Sequence, residues 1–277
     1  MKIITTLLLT FCIWTNTHAQ EIQYADTARI SDILSKDFSC AGQDLTEVFK
    51  SAITPTWEKA AVISGLTVGT IALIQWDDDF RLSAQKGVSS DLNTASRAVK
   101  FYGEKYVVVG ISGGLYLSGL AFKNDDVRTA GRLTLEALVV SGVIGGSLKV
   151  IIGRSRPRIH EGPRKFNFWE WDNARQSLPS GHTTNAFTVS AVLAEQIDTW
   201  WARVGLYSLA AATSYSRVYD DEHWTSDIFL GAAIGYLSGK TIVEINRDHK
   251  SQEIINSLKD RVLLYPVSDG IGVTVKF

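Results

Sequence analysis

SRVYDDEHWTSD, Ser216–Asp227, is the stretch from which the rest of the chain can be read. In it His223 stands four residues before Asp227, a spacing that on a helix sets both side chains on one face, one turn apart. A carboxylate so placed accepts a hydrogen bond from one ring nitrogen and leaves the other bare, basic and aimed at an electrophile. Six residues before His223, Arg217 offers a permanently charged planar fork suited to phosphoryl oxygens. A surface pair or half of a metal site would use the same spacing. His-x3-Asp without further His or Cys ligands makes a poor zinc set, however, and neither a metal nor a cofactor is expected.

Two pieces upstream extend the pattern. KVIIGRSRP, Lys149–Pro157, brings Lys149 and Arg156; each alone reads as an ordinary solvated cation or ion-pair partner. PSGH, Pro179–His182, sits where a loop becomes an apolar helix. Pro179 fixes the entry, Ser180 is an N-cap type, and Gly181 lets backbone N–H groups approach an anion closely. His182, in the first turn, is placed to donate a proton to a leaving alkoxide or to satisfy a cap. Taken alone PSGH is an ordinary capped helix start. Together the three pieces make a set for gripping phosphate and transferring it to a histidine.

Length and charge bound the reading. A chain of 277 residues has ample material for a real core, as one large domain or two small ones. A net charge of −1 argues against a nucleic-acid partner. Cys12 falls in an apolar leader, so Cys40 is left alone and can build neither an internal disulfide nor a Cys-based metal site. A mean hydropathy of +0.03 is high for a soluble protein and low for one densely packed with spans.

In chain order, residues 1–19 read as a secretory signal: Lys2, an apolar run from Ile3 to Trp14, then a small-residue site at Thr17-His18-Ala19 with cleavage before Gln20. An uncleaved anchor is the alternative, though the run is short for a span. Residues 20–56 form a polar segment without assignable chemistry. WEKAAVISGLTVGTIALIQW, Trp57–Trp76, is about 27 Å of apolar helix bracketed by tryptophans, as at a membrane interface; a buried helix of a large soluble protein has the same length. Tyr106–Phe122 and the stretch from Leu133 to Ile152 are further apolar helices, the latter carrying Glu136 and Lys149. Lys149 has a use in the site, whereas Glu136 has none that the sequence supplies. Residues 153–178 form a long charged and aromatic loop, read as a rim or lid. Three more helices follow, from PSGH, from Ala202 and from Thr225, rich in small residues that permit close packing. The tail, residues 249–277, alternates apolar and polar residues around Ser268-Asp269-Gly270 and reads as a short β-hairpin. The expected fold is all-α: a bundle of about six core helices over residues 57–248, membrane-embedded, with that hairpin appended.

The three segments in this order, K-x6-RP, PSGH and SR-x5-H-x3-D, resemble the type 2 phosphatidic acid phosphatase family, whose superfamily includes class A acid phosphatases and vanadium haloperoxidases. Lys149, Arg156, Pro157, Pro179, Ser180, Gly181, His182, Ser216, Arg217, His223 and Asp227 fill every motif position. The resemblance implies metal-independent phosphomonoester hydrolysis in an all-helical domain. By that analogy Lys149, Arg156, Arg217, Ser180 and the Gly181 N–H hold the phosphoryl oxygens. His223 attacks phosphorus, Asp227 orients it, and His182 protonates the leaving oxygen. The physics agrees, since phosphoryl transfer is largely positioning and charge neutralisation. One departure is the acidic run Asp220-Asp221-Glu222 directly before His223, read here as favouring the N-terminus of the next helix.

The leading expectation is a membrane enzyme acting on an anionic lipid phosphate such as phosphatidate, phosphatidylglycerol phosphate, polyprenyl (di)phosphate or lipid A, with no obligate protein partner evident. A soluble exported acid phosphatase with the same site is the alternative. A haloperoxidase and a non-catalytic envelope protein are weaker ones. Export places the protein in the envelope, with the site expected to face the periplasm. If every apolar segment spans, however, the third ends on the cytoplasmic face, so either one segment does not span or the protein is not a standard spanning one.

Overall fold

The end of one helix shows how this chain builds its site. Gly153 closes that helix in the left-handed conformation, at φ 56°, and its N–H donates to the Lys149 carbonyl at 3.0 Å. A Cβ at this position would lie 1.7 Å from the Asn167 carbonyl oxygen, so only glycine fits. The chain then folds back on the helix it has left: Asn167 N–H donates to Gly153 O (2.8 Å) and Glu170 N–H to Val150 O (3.0 Å).

The computed structural model describes residues 30–86, 89–267 and 270–275. The expected signal, residues 1–19, lies outside them. Among the described residues the helices are α1 (Ile30–Ile53), α2 (Trp57–Leu73), α3 (Asp77–Gln85), α4 (Ser90–Lys100), α5 (Lys105–Ala121), α6 (Asp125–Ile152), α7 (Gly181–Ile197), α8 (Trp200–Tyr219) and α9 (Thr225–Arg261). Two strands, β1 (Val262–Val267) and β2 (Gly270–Val275), pair antiparallel after α9, with Val262 opposite Val275. The starts of the helices obey local chemistry. Thr56, Ser89 and Asn124 are N-caps whose side chains accept from the backbone N–H three residues on. Each apolar segment expected from the sequence is a helix, and the loop from 153 to 178 holds two single 3₁₀ turns, Pro157–Ile159 and Asn173–Arg175, and one antiparallel bridge between Arg154 and Phe166.

Helix α7 is the centre of the bundle, with α6, α8 and α9 packed around it. Val189 and Leu193 of α7 meet Val108 and Leu115 of α5 and Ala130 of α6. Val192, on another face, meets Leu133 and Val140 of α6 and Ile242 of α9. The approach of α9 is very close: a Cβ on Gly235 would lie 2.3 Å from Thr184 O, and one on Gly231 2.8 Å from Ser180 O. This contact presses the start of α7 against the first turns of α9, where the expected site residues lie.

Residues 20–56, unassigned by sequence, contain α1, which packs on α6 and α9 through charge as well as apolar contact. Asp44 accepts from Arg132 at 3.1 Å, and Arg132 donates to Glu136 at 2.7 Å. That pair accounts for Glu136: it is a buried counter-ion to an arginine one turn away.

Three helical stretches, Trp57–Gln85, Asp125–Ile152 and Thr225–Asn256, are long and apolar enough to cross a membrane, and α5 is a shorter apolar helix. Only 11% of the apolar window in the first is buried within the protein. Val62, Ile63, Val68 and Ile71 stand exposed along it, a surface that water would disfavour and hydrocarbon would accept.

Candidate active site

The three motifs come together at one end of the bundle. Lys149 lies in the last turn of α6, Arg156 just beyond it, Ser180 to His182 at the start of α7, and Arg217 in the last turn of α8. His223 lies on the short α8–α9 connection, and Asp227 in the first turn of α9. The helical spacing argued from sequence therefore needs correcting: His223 precedes the helix and does not share its face. The pair still meets because Asp227 acts on the helix start. Its Oδ2 accepts the Trp224 N–H at 2.8 Å and comes within 3.5 Å of His223 Nδ1. Ser177, from the rim loop, donates to the same Oδ2 at 2.5 Å and lies 3.4 Å from Nδ1.

The other ring nitrogen faces cations. His223 Nε2 is 3.5 Å from Arg156 Nη1, and His223 is almost wholly buried. Burial pushes the imidazole down to about 3; Asp227 opposes this, and the charges of Lys149 and Arg156 reinforce it. The ring is thus neutral at ordinary pH, with Nε2 free of a proton if Nδ1 faces the carboxylate. Arg156 is lowered as well, chiefly by burial, against the pull of Glu222. Lys149 Nζ donates to Gln176 O at 2.7 Å. A Cβ on Gly181 would stand 3.8 Å from Lys149 Cε, so the ammonium stem lies beside the α7 N-terminus. Arg217 keeps its Nε buried with no hydrogen-bond partner among the described residues.

His182 Nε2 stands 3.1 Å from Glu104 Oε1, without the alignment of a hydrogen bond. Burial lowers its pKa, Arg217 adds to this, and Glu104 opposes it. Ser180 is buried; its N–H donates to Asp227 O at 3.0 Å and its hydroxyl accepts from Thr183 at 3.1 Å. Every residue singled out by the sequence falls in this cluster or borders it. Among the described residues no three His, Cys, Asp or Glu side chains converge as metal ligands.

The acidic run differs from expectation. Helix α9 begins at Thr225, beyond Asp220-Asp221-Glu222, and each carboxylate answers a guanidinium rather than a helix end. Asp220 pairs with Arg217 (3.1 Å), Asp221 takes Arg81 through both oxygens (2.6 and 2.7 Å), and Glu222 pairs with Arg156 (2.7 Å).

Sequence reasoning missed the buried support beneath Asp227. Arg154 donates to Asp227 Oδ1 (2.6 Å), to Asp77 Oδ2 (2.7 Å) and to Pro163 O. Asp77 also accepts from the Ser226 N–H (2.9 Å) and hydroxyl (2.6 Å). Trp224 covers Arg154 at 5.6 Å and donates its indole N–H to Ser155 O. The spacing within GRSRP marks Arg154 as a neighbour of Arg156, but nothing local ties it to Asp77.

Fold and site together define a class: an all-helical protein with membrane-length helices and a buried histidine–aspartate pair set among cations. Residues 131–250 match the family model described as the PAP2 superfamily. A lipid A 1-phosphatase of Porphyromonas gingivalis is 28% identical over 138 residues, covering 48% of this chain and 28% of that one. An undecaprenyl-diphosphatase of Sulfolobus acidocaldarius is 28% identical over 164 residues, covering 57% and 72%. The chain thus spans under a third of the first relative's length. The crystal structure of a transmembrane PAP2 type phosphatidylglycerolphosphate phosphatase from Bacillus subtilis shares the fold, with TM-score 0.55 and 17% identity over 67% of this chain and 96% of that one.

Proposed function

We propose that this protein is a membrane phosphatase that removes phosphate from an anionic lipid phosphate, working without a metal through a phosphohistidine. The observation that carries the reading is the two-sided environment of His223. Asp227 and Ser177 stand at Nδ1, and the Arg156 guanidinium stands 3.5 Å from Nε2. A proton held at Nδ1 by the carboxylate leaves the Nε2 lone pair directed at the place where Arg156 would hold a phosphoryl oxygen.

In this reading Nε2 attacks phosphorus as the phosphorus–oxygen bond to the lipid breaks. Lys149, Arg156, Arg217 and the N–H groups at the start of α7 neutralise the equatorial oxygens. Protonated His182 gives its proton to the leaving oxygen, and the resulting neutral imidazole takes one from the water that then cleaves the phosphohistidine. Asp227 stabilises the charge that His223 gains. The matches to a lipid A 1-phosphatase and an undecaprenyl-diphosphatase support a lipid substrate, and the exposed apolar faces of α2 support a membrane setting. Export to the envelope and an outward-facing site belong to the same proposal.

The test is phosphate release in the presence of EDTA from a dispersed lipid phosphate and from p-nitrophenyl phosphate, with His223→Ala as control. Faster turnover of the lipid, lost in the variant, is expected. Preference for the soluble ester would favour an acid phosphatase. Release that requires added metal, or that survives in His223→Ala, would overturn the mechanism.

A further inference from the structure

Glu222 sits directly beside the nucleophile assigned above, and the structure gives it a task that neither the motifs nor the comparisons describe. Arg156 Nη1 is shared: it lies 2.7 Å from Glu222 Oε2 and 3.5 Å from His223 Nε2. The same carboxylate oxygen takes Arg158 Nε at 3.3 Å. Its position is fixed from the backbone, because the N–H groups of Glu222 and His223 both donate to Arg217 O, at 3.0 and 3.2 Å. The His223 side chain is 2% exposed and that of Glu222 28%, so the carboxylate reaches solvent where the imidazole does not.

We infer that Glu222 restricts the site to a single phosphoryl group and disfavours diphosphates; the inference rests on the phosphatase reading above. A phosphoryl group held at Nε2 displays its leaving oxygen away from the nucleophile. In a lipid monophosphate that oxygen continues into an ester and an apolar chain. In a diphosphate it carries a second charged phosphate out toward the mouth, where Glu222 stands. The carboxylate repels that group, and it also occupies Arg156 and Arg158, the cations that would otherwise grip it. Asp220 holds Arg217 in the same manner at 3.1 Å, whereas Asp221 is committed to Arg81.

The test uses the full-length protein in detergent with Glu222→Gln, and Glu222→Lys as a second step of charge should the first variant fold poorly. Binding of inorganic phosphate and of pyrophosphate is measured by calorimetry, and turnover of a prenyl monophosphate and its diphosphate in parallel. Removing the carboxylate is expected to tighten pyrophosphate on the order of tenfold more than phosphate, with a larger change in the Lys variant. The diphosphate-to-monophosphate ratio of kcat/KM should rise with it. A binding ratio that stays within about twofold of wild type in both variants overturns the inference. The binding arm does not need turnover: a shifted ratio in a protein that hydrolyses neither ester sustains the role of Glu222 while sinking the phosphatase reading.

Discussion

Arg154 and Asp227 lie 2.6 Å apart with neither side chain exposed, and the other arm of the same guanidinium holds Asp77 at 2.7 Å. One fork thus ties the start of α3 to the start of α9 beneath His223. Replacing Arg154 by Met strands two buried carboxylates and should destabilise the protein by about 3–5 kcal/mol, read as a lowered melting temperature in detergent. Arg154→Lys should not rescue it, because a single ammonium cannot serve two carboxylates and a carbonyl in the fork geometry. Wild-type melting and turnover in the Lys variant would contradict this account.

The role given to His182 predicts a dependence on the leaving group. A lipid alkoxide needs a proton as it departs, whereas p-nitrophenolate departs without one. His182→Ala should therefore lower kcat for the lipid phosphate by about 10²–10⁴-fold and affect p-nitrophenyl phosphate far less. Equal losses on both substrates would remove the proton-donor role.

The pH profile should be set by two histidines whose pKa values are both depressed. His182 acts as an acid only when protonated, so activity is present below its pKa and lost as pH rises through it. Burial and Arg217 place that limb below the ordinary 6.5. Glu104 opposes the shift, so Glu104→Gln should move the alkaline limb to still lower pH. His223 must be neutral, and at about 3 it should impose a loss of activity only in strong acid. The profile of kcat/KM against pH for both proteins measures this, and a limb moved upward in the variant would reverse the assignment.

The close contact of α7 with α9 predicts intolerance of bulk at Gly235. A methyl group there would meet Thr184 O at 2.3 Å and Thr188 N at 2.9 Å, both backbone atoms that cannot step aside. Gly235→Ala should cost about 1–3 kcal/mol and Gly235→Leu more, whereas Gly205→Ala, with open space around it, should be tolerated. Comparative melting curves decide it.

The rim loop offers a prediction about the membrane. Phe168, Trp169 and Trp171 are exposed, and Trp169 N–H donates to Ile151 O at the end of an apolar helix of membrane length. Aromatic side chains at that level suit a headgroup interface. Changing Trp169 and Trp171 together to Ala should raise KM for lipid phosphate in vesicles and leave KM for p-nitrophenyl phosphate unchanged.

What the sequence disclosed and what it concealed divide along physical lines. The six apolar segments and the residues of three short motifs were legible because periodicity and motif spacing are local properties. Asp77 was not, since its partnership with Arg154 spans 77 positions and exists only once α3 docks against α9. Ser177 looked like one polar loop residue among many, and only the fold brings it to Asp227. His223 and Asp227 pair as expected but by a different geometry, a carboxylate reaching back over a helix start. The acidic run was visible, yet its meaning depended on where the guanidinium groups of Arg81, Arg156 and Arg217 lie.

The attachment of Asp227 to the last long helix also sets an order of events during synthesis. Lys149, Arg154 and Arg156 leave the ribosome well before it, and of the two carboxylates that hold Arg154 in the fold only Asp77 has then been made. Neither the anchor for Ser180 N–H nor the second carboxylate for Arg154 exists until α9 has been made and seated against α7. On the proposed reading, the cations of the site are therefore made before the residue that completes it, and competence requires α9 to dock against α7.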